Sequence, residues 1–499
     1  MRKNLLTFVL ALFCAIACAF GLAACNNGGN KTNDAANYLS YRLKDDDTYA
    51  AYFSDNNWTQ IFVDRQKNGW TSVAFTIPAE YKGKAVTSID RISGNDIITS
   101  LTISDSVTSI DNQAFDGFYV LESVTMGNNV KTIGQSAFAN CSKLTSINIP
   151  NSVTSLGKTA FRGCRNLENV TLGNGITRIE DETFADCEKL ETVTIPQSVE
   201  YLGGKVFSGT NIKNLVMPNS LTKVGNYPLE GCMKLESLTL KFPEYEITYD
   251  DTGTTETVTC NFDLLFGGNI PQSLKTLTVT SGKVLNCRSS SLQNVILYDG
   301  VRLDGDAFYH CPSLEYNEYG NGLYLGNNTN KYMFLIKAKN NDITSLRIHA
   351  DTQFLCSSFR NCNKLTTIEI SKLSYISDWK KASLKTEKIS LKELFNLDKE
   401  TATVKTIKVA DGETYLPENL INFGLTELIL PNTLTEIAGD AIPSERITTI
   451  TYKGTKAQLR QVEFGWGWCG GISEINSGAI IHCDDGNIFV SWYGVVSGA

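Results

Sequence analysis

The chain has 499 residues, 42% of them hydrophobic, and its 53 Asp and Glu against 45 Lys and Arg give a net charge of −8. This length is enough to bury a core in several compact domains or in one elongated repeat domain. The acidic balance argues against nucleic acid as a partner, because phosphate binding needs clustered Lys and Arg. His310, His349 and His482 are widely separated and leave little material for histidine catalysis or a multi-histidine metal site.

Residues 1–24 have the pattern of an export signal, with Arg2 and Lys3 followed by an uncharged apolar run. The run is about long enough to span a bilayer, so an uncleaved membrane anchor is the alternative. It ends in the tetrapeptide Leu22, Ala23, Ala24, Cys25. This tetrapeptide resembles the lipobox of bacterial lipoproteins, and the resemblance implies cleavage before Cys25 and a diacylglycerol on its sulfur.

Residues 25–37 then form a polar stretch that cannot support a packed core and is predicted to be a flexible tether. No later apolar run reaches spanning length. We therefore expect an exported protein. Its lipid should hold it on the extracellular face of the bacterial cell membrane.

A period of 23 residues runs through the middle of the chain in three registers. The registers are Phe115, Phe138, Phe161, Phe184 and Phe207; Leu121, Leu144, Leu167 and Leu190; and Cys141, Cys164 and Cys187. Three registers in step exclude chance. Each unit has an apolar face that it cannot bury alone, and stacking the units buries these faces in one core, which predicts a solenoid.

One unit, Leu144–Asn166, shows how a coil is predicted to fold. Ile147 and Ile149 alternate with polar Asn148, which is the period of a half-buried strand. A second inward-facing stretch follows, and the segment from Ala160 predicts one turn of α or 3₁₀ helix that closes the coil. The pattern L-x-x-[IV]-x-[IL]-[PG]-x-x-[VI]-x-x-[IL]-x-x-x-[AT]-F-x-x-C-x-x-L resembles the BspA-type leucine-rich repeat of bacterial and protist surface proteins. The resemblance implies a curved stack with a parallel sheet on its concave face.

About sixteen strand-like motifs cover nearly the whole mature chain, one of them beginning at Leu314. The predicted organisation is a signal peptide at 1–24, a tether with lipidated Cys25 at 25–37, an N-terminal cap and first coil at 38–95, a solenoid at 96–456 with insertions near 241–273, 316–342 and 379–403, and a C-terminal cap at 457–499.

Local patterns predict structure inside the insertions and the last cap. The segments Gly322–Leu325 and Tyr332–Lys337 are predicted to be the two strands of a hairpin. Near the C-terminus, the sequence predicts a short helix followed by a hairpin that turns at Asp485-Gly486.

Two insertions share a Leu-Phe pair, Leu265-Phe266 and Leu394-Phe395, at a similar interval before the next strand. This spacing is expected if the two insertions are copies of one extended repeat. Insertions in solenoids often carry recognition, and the alternative is a drift in length without function.

The cysteines are predicted to be structural. Those in the repeat register should act as small buried hydrophobes: Cys141, Cys164, Cys187, Cys232, Cys311 and Cys362. C-x-x-C pairs are absent, which argues against a metal site. Cys469 and Cys483 lie outside the register and are candidates for a cap disulfide, and Cys260 with Cys287 is a weaker candidate pair. Asp45-Asp46-Asp47 lacks the spacing of a calcium loop and is predicted to be a solvated turn.

The outward strand positions carry small polar side chains, and acids one position earlier form a predicted acidic stripe. The candidate binding face comprises Glu122, Ser146, Asn148, Glu168, Asn169, Thr171, Glu191, Thr192, Thr194 and Glu236. An extended recognition surface and ordinary solubility with β-propensity explain this pattern equally well.

The sequence carries no nucleophile elbow, Walker loop or dinucleotide fingerprint. We expect a monomeric, non-enzymatic surface protein that binds a protein or glycan ligand for adhesion or protein interaction, without cofactor or metal. A cell-envelope scaffold that organises neighbouring proteins is the alternative. A carbohydrate-active enzyme that uses carboxylates in the insertions is a third.

Overall fold

The computed structural model describes residues 38–69, 73–92, 97–248, 255–259, 261–285, 287–303, 307–308, 310–359, 362–370, 404–416, 426–439, 441–442, 447–465, 467–468, 478–491 and 494–495. The predicted export signal, Cys25 and the tether lie outside these residues, as do the insertion near 379–403 and Cys469.

The chain winds into a parallel β-solenoid with little helix, which confirms the predicted fold class. Each regular coil places one strand in a front sheet, where it pairs in parallel with the strands of the coils before and after it. In the first half of the chain these strands are Val73–Ile77, Ile98–Ile103, Ser123–Thr125, Ser146–Asn148, Asn169–Thr171, Thr192–Val193, Asn214–Val216, Ser237–Phe242, Thr276–Val284 and Asn294–Leu297. Val301–Leu303 pairs with the end of Thr276–Val284.

The second inward-facing stretch of each coil forms a shorter strand in a back sheet. The back-sheet strands are Ser40–Leu43, Tyr49–Tyr52, Glu80–Tyr81, Lys84–Ile89, Ser109–Ile110, Thr132–Ile133 and Ser155–Leu156, followed by a separate group of Arg178–Ile179, Tyr201–Leu202 and Lys223–Val224. Most of them pair in parallel one coil apart, as Thr132–Ile133 does with Ser155–Leu156. The first two strands are antiparallel and lie in the predicted N-terminal cap.

A tight double turn closes each coil. Ala160 N–H donates to Gly157 O and Cys164 N–H to Phe161 O, which are the i→i−3 bonds of a 3₁₀ turn. Thr159 and Gly163 have φ of 55° and 72°, and these left-handed residues stop the turns from continuing as a helix. The alternate N–H groups point along the solenoid instead, as when Phe161 N–H donates to Thr183 O in the next coil at 2.9 Å.

The core is a stack of equivalent side chains from successive coils. The rings of Phe115, Phe138, Phe161, Phe184 and Phe207 stack with centroids 5.1 to 5.9 Å apart and planes within 17° of parallel. Four repeat-register thiols are buried beside them and donate to phenylalanine carbonyls of the preceding coil: Cys141, Cys164, Cys187 and Cys232. Cys164 Sγ, for example, lies 3.2 Å from Phe138 O.

The parallel front sheet is interrupted at the second insertion. Leu314 leads into the strand Asn317–Tyr319, which pairs antiparallel with Gly322–Leu325 and so leaves the solenoid pattern that its motif predicts. The four-stranded insertion sheet has the order Asn317–Tyr319, Gly322–Leu325, Phe334–Ala338, Phe354–Ser358. Its central pair is the antiparallel hairpin that the sequence predicts, with the second strand beginning at Phe334.

A second solenoid half follows with its own front and back sheets. Its front strands are Ser345–Arg347, Thr367–Ile370, Thr406–Val409, Glu427–Pro431, Thr449–Lys453, Gly478–Cys483, Gly486–Ser491 and Gly494–Val495, and its back strands are Tyr415–Leu416, Glu436–Ile437 and Glu463–Phe464. The buried side chains accordingly form two clusters, one for each half.

Three helices occur within the described residues: α1 (Asp55–Asn68), α2 (Phe262–Phe266) and α3 (Lys456–Leu459). Helix α2 begins at the Asn261 cap, ends at left-handed Gly267 and follows the antiparallel hairpin Glu244–Thr248 and Thr255–Thr259 of the first insertion. Leu265 O accepts from Leu229 N–H, so the helix takes the place of the double turn in its coil.

The C-terminal cap contains the predicted helix and hairpin. Helix α3 has a capping box between Thr455 and Gln458. The hairpin loop is Asp484-Asp485, one residue earlier than predicted, because Cys483 pairs with Gly486. No helix in the described part of the chain is both long and apolar enough to cross a membrane.

Candidate functional site

The front face consists of the outward side chains of the front-sheet strands. In Ser146–Asn148 and Asn169–Thr171 the central residue is buried and its two neighbours are exposed. The parallel register sets Ser146 beside Asn169 and Asn148 beside Thr171. Small polar residues therefore line up in columns across the coils, at the spacing of about 4.8 Å between strands.

Two such columns run along the sheet. The first contains Ser100, Ser123, Ser146, Asn169, Thr192, Asn214, Ser237, Thr276 and Asn294. The second contains Thr102, Thr125, Asn148, Thr171, Val216, Thr239, Thr278 and Ile296. All ten predicted face residues are exposed: Glu122, Ser146, Asn148, Glu168, Asn169, Thr171, Glu191, Thr192, Thr194 and Glu236.

Lysines of the following coil pair with three of the four glutamates in the predicted acidic stripe. Lys213 Nζ lies 2.8 Å from Glu191, and two further pairs at 3.9 and 3.7 Å join Lys143 to Glu122 and Lys189 to Glu168. The hydrogen bond to Glu191 raises the pKa of Lys213. The front face is therefore a hydroxyl and amide surface edged by exposed glutamates and their ion pairs.

Val216 is an apolar interruption of the front face that the sequence reasoning missed. It stands in the second column, where most coils carry Thr or Asn, and its side chain is 58% exposed. An alignment of the repeat units shows the difference, because Asn214-Leu215-Val216 replaces the usual polar-apolar-polar triplet. A solvent-exposed valine inside a polar surface offers an apolar contact to a ligand.

A polar groove of about 630 Å³ lies on the back sheet. It is lined by hydroxyl, amide, carboxylate and guanidinium groups around two glycines: Arg91, Ser109, Asp111, Asn112, Thr132, Gly134, Gln135, Ser155 and Gly157 with Ile110 and Ile133. Asn112 Oδ1 accepts from Gln135 N–H at 2.7 Å and so links successive coils. No sequence motif marks this groove, because its residues come from four successive coils.

Two carboxyl groups meet beside the groove. Burial and the nearby Asp90 carboxylate raise the pKa of Asp111. Asp90 in turn accepts from Arg42 of the cap at 2.6 Å. This arrangement offers donors and acceptors that can hydrogen-bond a polyol.

The remaining candidates have structural positions. Asp45-Asp46-Asp47 forms the turn between the first two strands, where Asp46 accepts from Thr48. Among the described residues, no group of three or more His, Cys, Asp and Glu side chains is placed to hold a metal ion. Cys483 is half-buried, and because Cys469 lies outside the described residues, its disulfide with Cys483 stays a prediction.

Solved structures similar to this chain come from several bacteria. A leucine rich cell surface protein from Faecalibacterium prausnitzii is 20% identical, with 88% of this chain and 98% of that chain covered and a TM-score of 0.38. A leucine-rich repeat protein from Bacteroides ovatus is 19% identical, with 86% and 98% covered and a TM-score of 0.32. The pneumococcal vaccine antigen PcpA is 14% identical, with 85% and 90% covered and a TM-score of 0.26.

No curated protein matches this chain. The BspA type leucine rich repeat region matches it in six copies, at residues 93–211, 177–251 and 283–400. These residues make up more than half of the chain and reach into both solenoid halves. The chain belongs to the BspA-type leucine-rich repeat family.

Proposed function

We propose that this protein is a non-enzymatic binding module, held by an N-terminal lipid on the bacterial cell surface, that recognises a protein or glycan ligand through its front face. The observation that carries the proposal is the pair of columns of mostly hydroxyl and amide side chains, exposed or half-buried, which keep one register from Ile98–Ile103 to Asn294–Leu297.

This surface suits an extended ligand. Hydroxyls and amides repeated at strand spacing offer donors and acceptors in a row, and a peptide segment or a glycan chain presents its own polar groups at regular intervals. Because Glu122, Glu168 and Glu191 are paired with lysines, such a ligand needs no strong charge to bind.

Binding is tested with the chain from Asn26 to Ala499 against host-surface, matrix and bacterial-envelope proteins and a glycan array. The variant Thr171→Arg/Thr194→Arg places two long side chains on the front face, and we expect it to weaken ligand binding at least tenfold. The matched control is Thr154→Arg/Thr177→Arg, which changes two exposed threonines outside the front-sheet strands.

The outcomes separate the alternatives. Binding that only the front-face variant loses supports the proposal, and binding only to proteins of the same envelope identifies a scaffold. If neither variant changes the affinity for a ligand, that ligand is recognised elsewhere on the chain. Turnover of a glycan by the wild-type protein would contradict the non-enzymatic proposal.

The lipid anchor is tested separately through Cys25. The tetrapeptide Leu22-Ala23-Ala24-Cys25 supports lipidation, and Cys25→Ser is expected to move the protein from the membrane fraction to the soluble fraction or medium. Cys483→Ser is the control and should stay with the membrane. Retention of Cys25→Ser on membranes would contradict the lipid anchor without affecting the proposal for the front face.

A further inference from the structure

Two buried thiols of successive coils lie against each other near the end of the first solenoid half. The Sγ atoms of Cys311 and Cys287 are 3.7 Å apart, and the same Cys311 Sγ lies 3.4 Å from the carbonyl oxygen of Cys287. Both side chains are fully buried. Neither the repeat register nor the candidate pairs of the sequence brings these two residues together.

The contact arises because Cys287 takes the place of a ladder phenylalanine. Its N–H donates to Ala307 O of the next coil at 2.6 Å, as Phe138 N–H donates to Ala160 O in a regular coil. Cys311 follows Ala307 by four residues, as Cys164 follows Ala160. A register cysteine lies next to the ladder residue of the preceding coil, so a cysteine at that ladder position puts two sulfurs in contact.

The surroundings of the pair affect its two thiols in opposite directions. The hydrogen bond with Cys287 lowers the pKa of Cys311; burial opposes this effect, and the Ser289 backbone and the Lys337 ammonium add to it. The same hydrogen bond and burial raise the pKa of Cys287. In the closed coils one thiol is thus the better thiolate, and the other stays protonated beside it.

We propose that Cys287 and Cys311 form a disulfide that cross-links two successive coils of the solenoid. A low-molecular-weight disulfide such as oxidised glutathione is the oxidant. One cysteine thiolate attacks it and releases a first glutathione, and the second thiolate then attacks the protein sulfur of the mixed disulfide and releases the second. The two thiols lose two protons and two electrons, and the oxidant becomes two molecules of reduced glutathione.

The bond requires the two contacting sulfurs to move closer together. The sulfurs approach from 3.7 Å to the roughly 2.05 Å of a disulfide. Because both thiols are fully buried in the folded chain, the exchange takes place before the two coils have closed around them. The cross-link is independent of ligand binding, and an oxidising compartment outside the cytoplasm would favour it.

The test is peptide mapping of the chain from Asn26 to Ala499 after refolding in a mixture of oxidised and reduced glutathione. Free thiols are alkylated in denaturant without reduction, and the protein is digested with trypsin. We expect the peptides 284–288 and 303–331 to be joined and to separate on reduction. Cys164 is the internal control and should carry the alkyl group. Alkylation of Cys287 and Cys311 without reduction, or a link from Cys287 to Cys260, would overturn the proposal.

Variants and a stability measurement give a second readout. Cys287→Ser should leave Cys311 open to alkylation, whereas Cys164→Ser should keep the link between 287 and 311. Refolding with oxidised instead of reduced glutathione should raise the unfolding temperature of the wild-type protein and of Cys164→Ser, but not that of Cys287→Ser. An equal unfolding temperature of the wild-type protein under both conditions would contradict a cross-link between coils.

Discussion

Each phenylalanine of the central ladder is held between two others. Phe161 stacks on Phe138 at 5.4 Å and on Phe184 at 5.6 Å, with planes within 5° of parallel, and it has no exposed surface. Removing one ring therefore removes contacts with the coils on both sides. The backbone of the double turn is tied to its neighbours by hydrogen bonds and cannot easily collapse into the space.

Phe161→Ala is expected to lower the free energy of unfolding by about 3 to 5 kcal/mol, since it deletes a buried aromatic ring. Urea unfolding followed by circular dichroism measures the change. Phe161→Leu keeps most of the volume and should cost less. An effect of Phe161→Ala no larger than that of Thr154→Ala, at an exposed position, would show that the ladder carries little stability.

Gly157 allows two coils to approach closely after the back strand. A Cβ atom at this position would lie 2.5 Å from the nitrogen of Gln135 and 2.6 Å from the carbonyl carbon of Gly134, both backbone atoms of the preceding coil. Backbone atoms cannot rotate away, so the coils would have to separate.

We expect Gly157→Ala to lower stability by about 1 to 3 kcal/mol, the range seen for overpacked sites. Thermal unfolding measures it, and Ser155→Ala, at an exposed position in the preceding strand, is the control. Equal unfolding temperatures for the two variants would contradict the close approach of the coils at Gly157.

Contacts that recur in every repeat unit could be predicted from the sequence. Contacts that depend on a difference between two coils could not. The burial of Cys141, Cys164 and Cys187 follows from their common register and is confirmed. The contact of Cys287 with Cys311 could not be predicted, because the coil of Cys287 is shortened and carries no phenylalanine to set its register.

In the candidate site, too, the sequence predicts some features of the surface and not others. The exposure of the small polar columns follows from strand alternation, which the sequence displays. The pairing of Glu122 with Lys143 does not follow from this alternation, because a lysine 21 residues away contacts the glutamate only after the coils stack.

At the scale of elements, the turns after the back strands place carboxyl groups in contrasting environments. Burial and Asp90 raise the pKa of Asp111 beside the groove. Burial also acts to raise the pKa of Asp181, but hydrogen bonds from Lys158 Nζ and Gly204 N–H, both at 2.8 Å, outweigh it and lower the pKa. The two groups should therefore respond to pH in opposite directions.

Asp111→Asn is expected to raise the unfolding temperature at pH 7. A carboxyl whose pKa is raised by folding opposes folding while ionised, and this opposition disappears as the pH falls through the raised pKa. The gain should therefore fade in acid. Because Asp111 is only partly buried and keeps access to solvent, solvent screening keeps the effect to about 0.5 kcal/mol or less. Thermal unfolding at pH 7 and at acidic pH measures it.

Asp181→Asn is the control of opposite sign. A carboxyl whose pKa is lowered by folding stabilises the fold above its unfolded pKa, and this contribution is lost as the pH falls through the folded value. The variant should unfold at a lower temperature than the wild-type protein at pH 7 and approach it in acid. Changes of the same sign in Asp111→Asn and Asp181→Asn would contradict the electrostatic account.

At the scale of the whole molecule, the second insertion divides the solenoid. Asn294–Leu297 and Ser345–Arg347 belong to different front sheets, with the insertion hairpin between them. The insertion is joined to the first half through the bridge from Ile296 to Gly326, and to the second half through the hydrogen bond from Arg347 N–H to Gly320 O at 2.8 Å. In a solenoid each coil is stabilised mainly by its nearest neighbours. The junction at the second insertion, where the two halves do not share a front sheet, should therefore separate two cooperative units.

This division predicts that the halves unfold independently. Ile368→Ala removes a fully buried side chain from the second core cluster, and we expect faster amide hydrogen exchange in Thr367–Ile370 and Glu427–Pro431 with no change in Asn169–Thr171. Leu215→Ala, in the first cluster, should produce the reverse pattern. Mass spectrometry of exchanged peptides measures both variants. If either substitution accelerated exchange equally in both halves, the insertion would transmit stability as an ordinary coil does, and the solenoid would be one cooperative unit.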